Sequence, residues 1–381
     1  MRRHLSFSQL VYEYSIRALL RLNILTIALR VYRNPVSAIQ TLRKLMCLRA
    51  SIQGNSRIAK LARVGTKYYW SISAAAWPSP AFNHFISNEL HRIKAHQKST
   101  QLQTMIFSIT NRCPLECEHC YEWNNLSAQD ILSTEELLHI LQKVQNYGVS
   151  NIQFSGGEPL VRFDALIQLI TATRAETELW VLTSGFGLSL PKARALKKAG
   201  LSGVVISLDH WSEDLHNQFR NHEKSFSSAL EAIGNAKQAG LAVALSLCAS
   251  RDFVSKDNLE KYYRLAHEMG VDIVRILEPR QVGHYTGLSV ELDTAHLDIL
   301  HKFYLETINS PGYWHMPIID YTVYHQRLHG CFGAGDRYLY IDSRADVHAC
   351  PFCQGAAGNA LIDEIEACIN KLQIRGCHKY H

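Results

Sequence analysis

The chain has 381 residues, 47% of them hydrophobic and 19% charged, with a formal net charge of +6. That profile excludes a disordered chain, a collagen and a small disulfide scaffold, and it leaves room for two or three domains. The charge is unevenly placed: residues 1–100 hold 16 Lys/Arg against two acids, Glu13 and Glu89 (net +14), while the other 281 hold 24 Lys/Arg against 32 Asp/Glu (net −8).

Residues 1–100 read as a basic, mostly helical region. Arg17, Arg21, Arg30 and Arg33 flank the apolar stretch Leu19–Leu29, which falls short of the ~20 apolar residues needed to cross a bilayer. Three readings fit it: a helix on an anionic membrane surface, a basic helix packed on the body, or an Arg-rich organellar presequence. No small-residue cleavage site follows, so the expected place is the cytoplasm, with peripheral contact on the inner face of the membrane. No nucleic-acid partner is expected, because the basic residues lack aromatic interleaving. Pro35 and Gly54 punctuate the region, Trp77-Pro78-Ser79-Pro80 is expected to close its last helix, and His96 to Thr100 reads as a polar link.

From Thr104 the texture changes to short apolar strands, at 104–110, 151–154, 179–183, 203–208, 241–247 and 272–277. Helix-like stretches separate them. The first carries a capping box, Ser133 with Glu136, and a Gly148 stop; the others are expected at 163–174, 191–199, 226–239 and 258–269. Such alternation predicts an α/β fold with a parallel sheet, a partial (β/α)6 TIM-like barrel over residues 101–290, since six units fall short of a closed eight. Residues 291–330 read as a helical connector, and 331–381, with two short strands at 338–341 and 346–349, as a small C-terminal unit.

Ten cysteines are placed without a disulfide framework, and their clustering reads as metal or cluster ligation in a reducing compartment. Cys113, Cys117 and Cys120 stand at C-x3-C-x2-C spacing just after the first strand of the array. Three thiolates on one loop can hold three irons of a 4Fe–4S cluster and leave the fourth iron open. A zinc ion would want a fourth ligand such as His119.

With Tyr121 behind the triplet, this segment resembles the radical S-adenosylmethionine superfamily over roughly residues 104–285. The resemblance implies a 4Fe–4S cluster on Cys113, Cys117 and Cys120, with S-adenosylmethionine bound to its open iron. Gly156-Gly157-Glu158-Pro159 matches the motif that holds the cofactor's methionine amino group. Ser184, Ser207 and Asp209 stand at strand ends that contact the ribose and carboxylate, and Arg220, in His216-x3-Arg220, matches the arginine that meets the carboxylate. In the family, one electron from the cluster breaks the sulfur–C5′ bond, and the 5′-deoxyadenosyl radical abstracts hydrogen from a substrate. A one-electron donor such as flavodoxin or ferredoxin is implied, and no further catalytic acid or base. Asp209 is followed by His210-Trp211 where glycine is more usual, a departure on the substrate side.

Cys331, Cys350, Cys353 and Cys377 form a second set. A Cys-x2-Cys knuckle with two distant cysteines suits zinc. Their order around a hairpin is also similar to SPASM or twitch extensions of radical enzymes, which implies an auxiliary 4Fe–4S cluster. Ala345 stands five residues before Cys350, where that family often has glycine. Cys47, Cys248 and Cys368 are expected as core thiols. The resemblance implies an oxidoreductase or carbon-bond-forming enzyme acting on a peptide, often a ribosomally made precursor, or on a small molecule. A lipid or membrane-linked metabolite is the competing substrate, and a non-catalytic metal-cluster scaffold the competing class.

Overall fold

The computed structural model describes residues 7–53, 60–95, 102–127, 129–331, 333, 335–377 and 379. The expected Gly54 break and the polar link at 96–100 lie outside them. Two helices, α1 (Phe7–Tyr32) and α2 (Pro35–Gln53), are followed by a two-stranded hairpin, β1 (Ala62–Val64) with β2 (Lys67–Tyr69), and by α3 (Pro80–Ala95). The hairpin is absent from the sequence reading. The Trp77–Pro80 segment opens a helix where it was expected to close one: Pro80 stands at the first helical position, and Ser79 Oγ accepts from Phe82 N at 2.9 Å. Ile27, Ala28, Ala38, Trp77, Phe82 and Leu90 give this N-terminal unit a core of its own.

Next come β3 (Thr104–Ser108), α4 (Thr134–Tyr147), β4 (Asn151–Ser155), α5 (Phe163–Ala172), β5 (Glu178–Thr183), α6 (Leu190–Ala199) and β6 (Gly203–Ser207). After β6 the chain adds α7 (Glu213–Arg220), α8 (Ser225–Gln238), β7 (Ala242–Cys248), α9 (Lys256–Glu268) and β8 (Ile273–Leu277). The Ser133–Glu136 capping box starts α4, and Gly148, at φ 97°, ends it. Beyond the expected six units lie α10 (Thr294–Asn309), β9 (Ile318–Asp320), α11 (Thr322–His329), β10 (Tyr338–Ile341), β11 (Val347–His348) and α12 (Ile365–Arg375). Strands β3 to β11 form one sheet of nine strands in the order β11-β10-β3-β4-β5-β6-β7-β8-β9. Every neighbouring pair is parallel except β10 with β11. The sheet stays open between β11 and β9, a partial barrel with helices outside. It is wider than six strands because β9, inside the expected connector, pairs with β8, and β10, inside the C-terminal unit, pairs with β3.

The starting ends of the strands are stoppered by the segment between β2 and α3. Tyr69, Ile72 and Ala76 pack on Trp180, Val205, Ala242, Ala244, Ile273 and Ile318. Polar side chains inside the barrel bind the stopper's backbone. Asn151 Nδ2 and Gln153 Nε2 donate to Ile72 O at 3.2 and 3.0 Å, Thr104 Oγ1 donates to Ser73 O at 3.2 Å, and the Glu178 carboxylate accepts from Ala76 N. Arg275, paired with Asp320 at 3.1 Å, donates to Ser73 Oγ at 2.7 Å. Each of these side chains finds at least one such partner, which offsets the cost of burying it, while Gln153 Oε1, Glu178 Oε1 and Arg275 Nε are buried without one.

Candidate functional site

The opposite ends of the strands surround a cavity of about 210 Å³. Its shape begins with the loop after β3. That loop is laced to the loop after β4 by backbone bonds from Ile109 N to Ser155 O (2.9 Å), Gly157 N to Thr110 O (2.9 Å) and Glu158 N to Arg112 O (2.8 Å). The approach explains the paired glycines. A Cβ on Gly156, at φ 144°, would lie 2.6 Å from Thr110 O, and one on Gly157 would lie 2.3 Å from Arg112 O. Their space is filled by the cysteine loop.

Two residues missed in the sequence hold that loop. Asp130 accepts from Thr110 Oγ1 (2.5 Å), Asn111 N (3.1 Å) and Arg112 Nε (3.1 Å). Arg162 donates from Nη1 to Ile109 O (2.9 Å) and from Nη2 to Leu132 O (2.7 Å). From the far side, the loop after β8 latches on through His284 N to Cys120 O at 2.9 Å, with the His284 ring stacked on Trp123 at 3.9 Å.

Cys113, Cys117 and Cys120 all line the cavity. Burial pushes the Cys113 and Cys120 thiols up to about 12. Arg220 Nη1 reaches Cys117 Sγ at 3.5 Å, and its other edge grips Asp209 Oδ2 at 2.5–2.6 Å. Burial works against the Asp209 charge, but Arg220 beside it holds the carboxyl below the usual range. Asp209 Oδ1 accepts from Cys248 N at 2.8 Å, and His216 Nδ1 accepts from Asp209 N at 3.0 Å, which places the imidazole proton on Nε2, toward Ser225 Oγ. The polar sequence of α7 hides this: its buried residues are His216 and Arg220.

The seven expected cofactor contacts fall into two layers. Gly156, Gly157, Ser184, Ser207 and Arg220 line the cavity; Glu158 and Asp209 stand behind it. Glu158 is buried, which raises its pKa, and four donors oppose that. Its Oε1 accepts from Thr183 Oγ1 (2.7 Å) and Leu160 N (3.1 Å), and its Oε2 from Ser184 N (2.8 Å) and Ser184 Oγ (2.6 Å). It is a positioning residue for the end of β5. The cavity wall also includes Cys248, Arg275, Glu278 and Arg280, none of them foreseen as site residues. Cys248 is buried there as expected of a core thiol, whereas Cys47 is exposed on α2, against expectation, because its helix turns it outward.

The second cysteine set gathers at the same end of the molecule. The Cys331 thiol hydrogen-bonds Cys377 and feels Cys353, while Cys350 hydrogen-bonds Cys353 and feels Cys331. Cys353 N closes the knuckle on Cys350 O at 3.0 Å. Ala345 takes φ 69°, the left-handed shape that favours glycine, so the hairpin keeps its turn without one. Within the knuckle, Pro351 and Phe352 form part of the cavity wall, Phe352 meets Tyr121 edge-on at 6.4 Å, and Gln354 Nε2 donates to Tyr121 O at 2.8 Å. The two thiol sets are therefore joined through residues directly beside Cys120 and Cys353.

Among the described residues, no three His, Cys, Asp or Glu side chains converge tightly enough for a single metal ion. A cluster makes no such demand, since each of its irons takes its own thiolate. The cavity fits one: three thiols face it, Cys117 buried and Cys113 and Cys120 partly so, with a guanidinium alongside, and the His119 Nδ1 in its wall is buried without a hydrogen-bond partner. Cys113, Cys117 and Cys120 would hold the cluster.

The class that fold and cavity define is a partial α/β barrel with a thiol-lined pocket at the carboxyl ends of its strands. Residues 107–266 match the family model of the radical SAM superfamily, and this segment is a radical SAM domain. The fold is similar to that of Streptococcus suis SuiB bound to precursor peptide SuiA (TM-score 0.59, 15% identity, 78% of this chain and 70% of that one). It is similar to SuiB bound to S-adenosylmethionine (0.59, 15%, 78% and 71%), and to anSMEcpe with bound AdoMet (0.54, 16%, 72% and 82%).

Proposed function

We propose that the chain is a radical SAM enzyme that cleaves S-adenosylmethionine reductively and modifies a peptide, or a small metabolite, by hydrogen abstraction. The observation that carries this reading is the convergence of three loop thiols and Arg220 on one cavity at the strand ends. When bound, the cluster and S-adenosylmethionine supply a one-electron cleavage of the sulfur–carbon bond whose product takes a hydrogen atom from the substrate. The chain's own residues do the rest. Arg220, held by Asp209, keeps a fixed positive charge at the Cys117 thiol in a low-dielectric setting. Ser184, oriented by Glu158, presents a hydroxyl to the cavity, and Pro351 and Phe352 supply an apolar part of its wall. The C-terminal thiols are read as ligands of an auxiliary cluster, and a flavodoxin or ferredoxin as the electron source. A peptide substrate is favoured by the fold shared with SuiB, whose structure holds its precursor peptide.

The test is anaerobic reconstitution followed by reduction with S-adenosylmethionine present. Release of 5′-deoxyadenosine is expected, lost in Cys113→Ala, Cys117→Ala and Cys120→Ala. No release from protein carrying about eight irons would leave a non-catalytic cluster scaffold.

A further inference from the structure

An ordinary surface helix buries one apolar stripe and shows polar residues to water. Helix α1 does not. Ile16, Leu20, Ile24, Ile27 and Val31 pack into the N-terminal core. The opposite side exposes Leu19, Leu22 and Leu29, with Leu22 at 60% of its full accessibility. The polar member of that stripe, Thr26, folds its hydroxyl onto Leu22 O at 3.0 Å, so it offers water no free donor. Helix α2 repeats the arrangement: Ala38, Leu42 and Leu45 pack inward, while Val36 (62%), Ile39 (49%) and Met46 (58%) stand in solvent.

Charge is distributed to match. Residues 7–53 contain seven basic side chains and one acid, Glu13. Arg21, Arg30, Arg43 and Lys44 are exposed on the two helices, and Arg33 in the turn between them, beside the apolar residues. Apolar side chains in a single-sign basic frame complement a surface that is hydrocarbon beneath and anionic above. Neither helix is long and apolar enough to cross a bilayer.

We propose that the α1–α2 hairpin is a docking surface for an anionic lipid bilayer, with Leu19, Leu22, Val36, Ile39 and Met46 entering the headgroup layer and the exposed arginines meeting lipid phosphates. This goes beyond the reaction and does not depend on it. The hairpin belongs to the unit that stoppers the starting ends of the strands, whereas the cavity opens at their other ends. Docking therefore tethers the enzyme at the membrane and leaves the cavity to a substrate arriving from the aqueous side.

The test is flotation of the full chain with vesicles of phosphatidylcholine containing about a third phosphatidylglycerol, against phosphatidylcholine alone. Flotation with the anionic vesicles only, weakened by salt, is expected. The Leu22→Asp/Val36→Asp variant should lose roughly tenfold or more of that partition, and Arg21→Gln/Arg30→Gln/Arg43→Gln should lose the preference for anionic lipid. Both change exposed residues, and circular dichroism checks that they stay folded. Wild-type protein left at the bottom of the gradient overturns the proposal, as does equal flotation of the aspartate variant. So does a wild-type dimer by light scattering that the aspartate variant converts to monomer, which would give the surface to a second copy.

Discussion

Replacing Glu158 by Gln changes a single atom type at the centre of four hydrogen bonds. Both carboxylate oxygens accept twice, and one donor on each is a backbone N–H, of Leu160 or of Ser184. A backbone N–H cannot be turned round, so either orientation of the amide sets its NH2 against a fixed donor. That N–H loses its bond to a charged acceptor, worth about 1.5–3 kcal/mol, and is left buried and unsatisfied, while the hydroxyl on the same side can rotate to accept. The relief of burying a neutral group in place of a charge offsets part of that loss. A net loss of about 3 kcal/mol is expected. Urea unfolding at neutral pH reads it as a lower midpoint at unchanged slope. Because Thr183 and Ser184 form part of the cavity wall, S-adenosylmethionine affinity should fall as well. A stability change below about 1 kcal/mol would show that the four bonds do not hold the end of β5, and would refute the reasoning.

Three further outcomes follow from the geometry. Gly157→Ala puts a methyl 2.3 Å from Arg112 O, itself pinned by Glu158 N, and should cost about 3 kcal/mol with loss of iron from the cysteine loop; an unchanged melting curve and iron content would contradict this. Burial depresses His216 from 6.5 to about 4, so as pH falls below 6.5 the unfolded chain takes up that proton first and stability drops. His216→Asn, which keeps an acceptor for Asp209 N, should flatten the profile by about 2 kcal/mol between neutrality and roughly pH 5, and parallel profiles would count against it. Cys353→Ala should lower bound iron from about eight to about four per chain, whereas loss of a single zinc would assign the C-terminal thiols to that metal.

The cysteine loop was legible in the sequence because its three thiols are covalent neighbours after one strand. The strands were legible too, since burial on both faces writes many of them as apolar runs such as Val204-Val205-Ile206 in β6. What stayed hidden was polar and long-range. Helix α7 reads as solvent-facing, yet Arg220 is buried by partners 11 and 103 residues away. Asn151 and Gln153 in β4 look misplaced until the Ile72 carbonyl arrives from the stopper. Strand β9 has three residues and joins the sheet by register against β8 alone.

The stopper has a consequence for how the protein is made. Residues 69–76 leave the ribosome early, but their binding surface is built from strand starts that extend to Ile318. At ordinary synthesis rates the chain between them takes roughly 10–50 s to appear. Through that interval Tyr69 and Ile72 have no barrel to enter, and the basic helices ahead of them wait on an unseated arm. Closure of the barrel's floor is therefore a late event of high contact order, and a truncated chain ending before β9 should expose both its lumen and its apolar stopper to chaperones and proteases.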